Sequence, residues 1–554
     1  MIFNEYKYLD LPKISEEILS YWEKNEIFKK SIDQSKGKKP YIFFEGPPSA
    51  NGLPGIHHVL ARSIKDIFLR FKTMKGFYVE RKAGWDTHGL PVELGVEKSL
   101  GITKEDIGNK ITVEDYNEEC KKAVMKYTDI WNDLTLKMGY WVDVKNPYVT
   151  YTPKYMESVW WLLKQIYDKK LMYKGYTIQP YSPKAGTAIS SHELNQPGTY
   201  QDVSDTTVTA QFKLSTKNLP DFLKSDSDVF VLAWTTTPWT LPSNTALTVG
   251  PKIKYALVKS FNQYTGLRAN YIVANDLITK QFSNIYFQTE NEEDFNRYEF
   301  NPKEIPYVKV DIFLGKDLEN LAYDQLLTYA KPYESPENAF RIILGDFVTT
   351  TDGTGIVHTA PTFGADDALV AKLANPPIPP MLVKDDNGDL VPLVDLQGRF
   401  RAEMGKFAGK FVKNEYYEKS DAPEKSVDVE IAIKLKKENK AFKVEKYKHS
   451  YPNCWRTDKP ILYYPIDSWF IKASSFRDKM VSLNKKINWK PKSTGEGRFE
   501  KWLENVNDWN LSRSRFWGIP LPIWRTEDGN EQFCIGSIED INSKDTNIGE
   551  GDCV

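Results

Sequence analysis

From about Thr199 to Val412 the chain is written in short β-branched runs, "TTVTAQFKL", "DVFVLAWTTT", "ALVKSF", "YIVAN" and "RIILGDFVTTT", with turn residues between them. Runs of this length and spacing predict a β-rich domain, here expected to be barrel-like. The flanks read differently. Upstream, "YIFFEG" (Tyr41 to Gly46) predicts a buried strand, "PPSANGLPG" a turn, and Leu60, Ile64, Ile67, Phe68 and Phe71 a helix closed by Gly76. A further strand near Phe77 to Val79 and long helices over Val113 to Gly139 and Lys154 to Lys170 follow, the last with "VWWLLKQIYDK" as its buried face. That βα order fits a doubly wound α/β sheet with ligands above the strand carboxyl ends. Downstream, Glu415 to Lys446 is highly charged, and the last hundred residues return to mixed α/β character. One α/β domain split by a β-rich insertion is the simplest organisation: 1–195 as its first part, 196–412 as the insertion, 413–554 as the return.

At 554 residues there is chain enough for two to four domains. A formal charge of −1 gives no global basic field, so any nucleic-acid surface must be local. The start, "MIFNEYKYLDLPKISEEIL", carries charges throughout and reads as neither signal peptide nor anchor. No run approaches the roughly 18 apolar residues a membrane span needs. Cys120, Cys454, Cys534 and Cys553 are scattered without metal-ligand spacing. A reduced, cytoplasmic protein without structural zinc in this stretch is expected.

"GLPGIHHVLARSIKD", from Gly52, places two histidines where a helix should begin. Free N–H groups and the helix dipole make such a start attractive to phosphate. Gly52 and Gly55 admit a base or phosphate close to the backbone, and His57 and His58 offer donors. The plainer alternative has one histidine capping the helix and the other on its surface. Neither a P-loop sequence nor a strand-linked GxGxxG is present.

"FFEGPPSANGLPGIHH" followed by "RKAGWDTHGLPVE" strongly resembles the catalytic half of class I aminoacyl-tRNA synthetases, the isoleucine branch in particular. The resemblance implies a Rossmann-like catalytic domain that binds ATP through Gly46, Asn51, Gly52, Gly55, His57 and His58, with Mg²⁺ on the substrate phosphates. The family's usual His-x-Gly-His is Gly55-Ile56-His57-His58 here, so only the last histidine keeps its place. His57 and His58 are the expected catalytic residues, in a swapped motif. Asp86 would hold the amino acid's α-ammonium, a task suited to a charge-assisted hydrogen bond. Pro47 and Trp469, the latter in "DSWFIKAS", would line an apolar side-chain pocket; the alternative for Trp469 is ordinary core. The Asp86 loop argues against the valine and leucine branches.

"WTTTPWTLPSNTAL" and "DGTGIVHTAPTFGADD" alone would read as polar loops with Asx and Ser/Thr turns. Together they resemble the editing domain of the isoleucine, valine and leucine enzymes. The resemblance implies that Asp367 holds the ammonium of a mischarged aminoacyl group. Thr235, Thr236, Thr237 and Thr240 would surround the terminal adenosine and the ester, with His358 helping to position it. Phe363 stands where many bacterial members have histidine, and water is the expected nucleophile.

In "DWNLSRSRFWGIPLPIW", Arg513 and Arg515 beside Phe516 and Trp517 suit phosphate contact and base stacking. The stretch is similar to a family segment near the tRNA acceptor end, and both arginines are expected tRNA contacts. A solvated arginine pair beside a core tryptophan is the alternative. No Lys-Met-Ser-Lys-Ser or Gly-x-Asp-x-Gln sequence occurs. The chain is therefore expected to be an amino-terminal, monomeric piece of an isoleucine enzyme, using isoleucine, its tRNA and ATP, and weak in activation. A valine enzyme and a non-catalytic tRNA-binding module are the rivals.

Overall fold

The computed structural model describes residues 5, 8–217, 219–290, 292–386, 388–526 and 530–544; Cys553 lies outside them. The fold is mixed α/β, in two compact units. One comprises Met1–Tyr173 with Trp469–Val554, the other Lys174–Ser468. The second unit takes in 174–195 and 413–468 as well as the β-rich segment.

In the first unit, helix α1 (Ile56–Met74) follows the Gly/Pro turn, and Gly76 turns the chain away at φ +86°. Its buried residues are Arg62 and Leu69, whereas Leu60, Ile64, Ile67 and Phe71 are exposed, the reverse of the face the spacing predicts. Burial on that side is chemically satisfied, because Arg62 donates to Thr135 Oγ1 at 2.7 Å and its guanidinium sits 4.8 Å from the Trp131 ring. The expected strand at 41–46 does not form. Pro40 bridges Tyr78 and Tyr41 N–H donates to Tyr78 O, but Ile42 and Phe44 stay 71% and 90% exposed. An apolar run becomes a buried strand only when neighbours cover both faces, and this one is tied at a single bridge.

Strands β1 (Lys82–Trp85) and β2 (Asp143–Val149) pair in parallel, and helix α2 (Leu90–Leu100) starts just beyond the β1 loop. The long helix expected over 113–139 is two, α3 (Val113–Val124) and α4 (Thr128–Lys137). The break occurs where the Tyr127 N–H reaches across to Ala50 O. Helix α5 (Pro153–Asp168) buries Leu163 but leaves Trp161 and Leu162 exposed, so its inner face is narrower than the apolar run suggests.

The second unit is built on one large mixed sheet. It contains β3 (Tyr200–Lys213), β4 (Val229–Thr235), β5 (Ala246–Val249), β6 (Lys254–Phe261), β7 (Arg268–Ala274), β8 (Tyr286–Gln288), β9 (Ile305–Leu314), β10 (Arg341–Leu344), β11 (Ile356–Thr359) and β12 (Ala441–Cys454). The strand order is β8-β9-β6-β7-β4-β11-β5-β10, and β3 joins β4 to β12. Among the described residues the end strands β8 and β10 do not pair, so the sheet is open rather than a closed barrel. Strand β4 has apolar residues on both faces because it lies inside this sheet, and Val231, Leu232 and Ala233 are wholly buried. Strands β3 and β12 form a long antiparallel ladder from Tyr200↔Pro452 to Ala210↔Ala441. Two helices matter for the site: α6 (Ala365–Leu373) and α7 (Val427–Lys437). Among the described residues no helix is long and apolar enough to cross a membrane.

Candidate functional site

The second unit holds a cavity of about 410 Å³ lined by Thr235, Thr236, Thr237, Thr240, His358 and Asp367, bringing together the two polar loops of the sequence. Thr235 ends β4, the next threonines enter a 3₁₀ turn (Pro238–Ser243), His358 lies on β11, and Asp367 begins α6. Strands β4 and β11 meet at Val357↔Trp234, which sets the two loops side by side.

The hydroxyls form a connected wall. Thr235 Oγ1 accepts from Thr237 N–H at 3.0 Å, and Thr240 Oγ1 donates to Thr237 O at 2.8 Å. His358 bridges that wall to the sheet through Asn244, a residue the sequence reading passed over. Asn244 Nδ2 donates to Ala246 O at 2.8 Å while its Oδ1 accepts Tyr323 O–H at 2.6 Å, which fixes the orientation of the amide. Its Nδ2 therefore donates to His358 Nδ1 at 2.9 Å, and the imidazole proton must sit on Nε2, 3.0 Å from Thr240 Oγ1. Burial lowers the His358 pKa to about 4, so the ring is neutral near pH 7. With both nitrogens engaged, His358 orients Thr240 rather than shuttling protons.

Asp367 faces the same cavity, its Oδ2 accepting the Ala360 N–H at 2.8 Å. Burial raises its pKa to about 6, against the lowering effect of that hydrogen bond, so near pH 7 it is a poorly solvated carboxylate suited to a cation. Asp366 is exposed. Phe363 closes one wall, its ring 5.0 Å from that of Trp239. Gly364, the α6 N-cap, leaves room for Asp367: a Cβ there would stand 2.7 Å from Asp367 Cγ. Gly364→Ala is expected to destabilise this unit by about 1–3 kcal/mol, as overpacking does, and denaturant unfolding would measure it.

In the first unit a second cavity, about 460 Å³, is lined by Gly46, Pro47, Asn51, Gly52 and His58 together with Arg62 and Lys65. Gly55 is the α1 N-cap, and its N–H donates to His58 Nδ1 at 2.9 Å. That bond places the neutral ring's proton on Nε2, leaving a donor directed away from the cap. Burial, then His57 and Arg62, lower the His58 pKa. His57 is exposed, stacked obliquely on His58 at 3.8 Å, and does not line this cavity. The division is thus the plainer one for geometry, a cap and a surface ring, but with the capping histidine at the cavity. Trp131 Nε1–H holds the turn by donating to Gly52 O at 2.8 Å.

Asp86 follows β1, and its N–H donates to Pro48 O at 3.0 Å. Burial raises its pKa, with the His88 N–H acting in the opposite sense. Neither Asp86 nor Trp469 lines the Pro47 cavity. Trp469 packs in a separate apolar cluster with Leu163, Met172 and Ile523, the core role that was its alternative.

The two arginines are split. Arg513 is exposed and donates to Asn510 O and Ser512 O. The side chain of Arg515 is only 6% exposed and is held by Glu93, at 2.9 Å, and by Glu97, both on α2. Its expected tRNA contact is corrected on this ground: the guanidinium is committed to two buried carboxylates. Glu93 also accepts the Phe516 and Trp517 N–H groups, and the Trp517 indole donates to Thr87 O at 2.6 Å. Among the described residues no group of three or more His, Cys, Asp or Glu could hold a metal ion.

The family model for class I tRNA synthetases (I, L, M and V) matches residues 17–551. A protein of Bacteroides fragilis named isoleucine–tRNA ligase is 56% identical over 97% of this chain and 48% of its own length. Proteins of the same name from Cytophaga hutchinsonii and Clostridium acetobutylicum are 58% and 42% identical over 98% of this chain, and over 49% and 47% of theirs. The chain spans about half the length of the curated relatives it matches.

Proposed function

The chain belongs to the class I tRNA synthetases, the group for isoleucine, leucine, methionine and valine, and from that premise we propose that it is part of an isoleucine–tRNA ligase whose second unit hydrolyses valyl-tRNA. The observation that carries the hydrolytic reading is the single cavity gathering the four threonines, His358 and Asp367. Asp367 holds the aminoacyl ammonium. The Thr235–Thr240 wall receives the terminal ribose and orients the ester. Water attacks the ester carbonyl, the carbonyl–oxygen bond to the ribose breaks, and valine leaves with the ribose hydroxyl restored. Neutral His358 keeps Thr240 in place and takes no proton near pH 7.

A ligase for isoleucine needs such a site. One methylene discriminates by only about 1–3 kcal/mol, a general limit of which the isoleucine enzymes themselves are the familiar illustration. A smaller hydrolytic site clears the valyl product that an isoleucine pocket admits.

In the first unit, the α1 N-terminus with His58, Arg62 and Lys65 at one cavity supports the ATP phosphates. Lys65 already pairs with Glu45, and Arg62 with Thr135, so His58 Nε2–H and the backbone N–H groups carry the first contact. Mg²⁺ would be held by the ATP phosphates rather than by a ligand set among the described residues, and would supply charge neutralisation there. Asp86 is the proposed ammonium ligand of isoleucine, Pro47 its side-chain neighbour, and Arg513 the remaining tRNA contact. The protein works as a cytoplasmic monomer.

The deciding experiment is hydrolysis of Val-tRNA and Ile-tRNA, both on the isoleucine tRNA, by the full chain. Valine should be lost and isoleucine spared. Equal sparing of both by folded protein would reject the hydrolytic unit.

A further inference from the structure

The hydroxyl wall has a support outside the residues assigned so far. Asp428 is the second residue of α7 and is buried. Its Oδ1 accepts the backbone N–H of Trp239 at 2.8 Å, in the turn between Thr237 and Thr240. The helix does not need Asp428 as its cap, because Ser426 already performs that role with the Val429 N–H.

A buried carboxylate is costly unless paired, and this one is embedded in a charged cluster. Burial raises the Asp428 pKa to about 7, and Lys413, 6% exposed and 3.0 Å from Asp205 Oδ2, opposes that rise with its charge, as does the Trp239 N–H. His449 Nε2 lies 3.2 Å from the same Asp205 oxygen. The Lys413 ammonium also sits 4.6 Å from the Tyr451 ring, and Glu415 adds its own field. An apolar residue at 428 would serve packing alone with less penalty. What Asp428 adds is a fixed acceptor for one backbone N–H beside the cavity.

We propose that Asp428 is a positioning residue for the threonine-lined cavity: by holding the Trp239 N–H it keeps Thr240 Oγ1 within reach of His358 and the Trp239 ring against Phe363. The inference rests on the hydrolytic reading of that cavity. It separates the acceptor, which asparagine also supplies, from the charge, which asparagine does not.

The test compares the full chain with Asp428→Asn and Asp428→Ala in Val-tRNA hydrolysis. Losing a hydrogen bond to a carboxylate predicts a fall in kcat of about tenfold or more for alanine, with KM within about twofold. Asparagine should stay within about threefold of wild type. Alanine at the wild-type rate, or asparagine as slow as alanine, overturns the proposal. Hydrogen exchange at the Trp239 amide reads the anchor without activity. It should quicken at least about tenfold in Asp428→Ala and stay near wild type in Asp428→Asn, while amides of β6 and β7 remain unchanged. Unaltered exchange at Trp239 in the alanine variant overturns the anchor. A wild-type chain that fails to hydrolyse while exchange behaves as expected defeats the hydrolytic reading, and the positioning role with it. Normal hydrolysis in Asp428→Ala defeats the positioning role alone.

Discussion

Asp367→Ala should slow hydrolysis of Val-tRNA by about tenfold to a hundredfold, the value of a charge-assisted hydrogen bond between a carboxylate and an ammonium. The loss should fall mainly on kcat/KM, and the gap between valyl and isoleucyl esters should narrow, because the acyl group loses the contact that sets its depth in the cavity. The pH profile supplies a second signature. Burial places the Asp367 pKa at about 6, and only the ionised form attracts an ammonium, so hydrolysis should rise through an acid limb near pH 6 and level off above it. Asp367→Asn should abolish that limb as well as lower the plateau. A limb that persists unchanged in the asparagine variant would assign the titration elsewhere. Stability is a poorer reporter of this group. A carboxyl raised to about 6 favours the folded form as pH falls, whereas a histidine lowered to about 4 disfavours it over nearly the same range. The two contributions from Asp367 and His358 oppose each other.

Arg515→Met should destabilise the first unit by about 3–5 kcal/mol, read as a lower midpoint in guanidinium unfolding. The substitution preserves length but leaves Glu93 and Glu97 without their cation, and Glu93 is 1% exposed. Neutralising both carboxylates as glutamines in the same chain should recover most of the loss. Arg513→Ala, at an exposed position, should change stability by less than about 0.5 kcal/mol. Equal midpoints for Arg515→Met and wild type would mean that water reaches the carboxylates and that the pairing carries little.

These two residues also show what a sequence can and cannot disclose. That Asp367, His358 and the threonines share one cavity was legible because each set lies in a short stretch whose order of residue types is distinctive. The β-rich character of the second unit was legible because strand periodicity is local. Its closure was not, since whether an end strand finds a partner depends on pairings across the whole sheet, and β8 and β10 do not meet. Arg515 was misread for the same kind of reason: Glu93 and Glu97 are more than 400 positions away in the chain. The pattern Arg-x-Arg before two aromatics is identical whether its second member faces solvent or two buried acids. Helix α1 was found with nearly correct limits, yet the apolar residues whose spacing revealed it are the exposed ones. A polar side chain such as Arg62 counts as outward in any hydropathy pattern until Thr135 and Trp131 are seen to satisfy it. Asn244 carried no signal beyond its place after the threonines, because its importance lies in holding one histidine tautomer. Asp428 lies in the stretch from Glu415 to Lys446, whose high charge singles out no one residue.

The ladder between β3 and β12 has a consequence for how this gene segment can be edited. Tyr200 and Pro452 are register partners, so the chain departs and comes back at one point. To the flanking polypeptide, everything between is a loop with its ends already tied together. Closure entropy grows only logarithmically with loop length, so residues added to or removed from the exposed turns inside it impose almost no extra constraint on the flanks. The same adjacency makes the second unit a natural module for excision or transplantation, with the cuts placed outside the ladder, at the unit's own limits of Lys174 and Ser468.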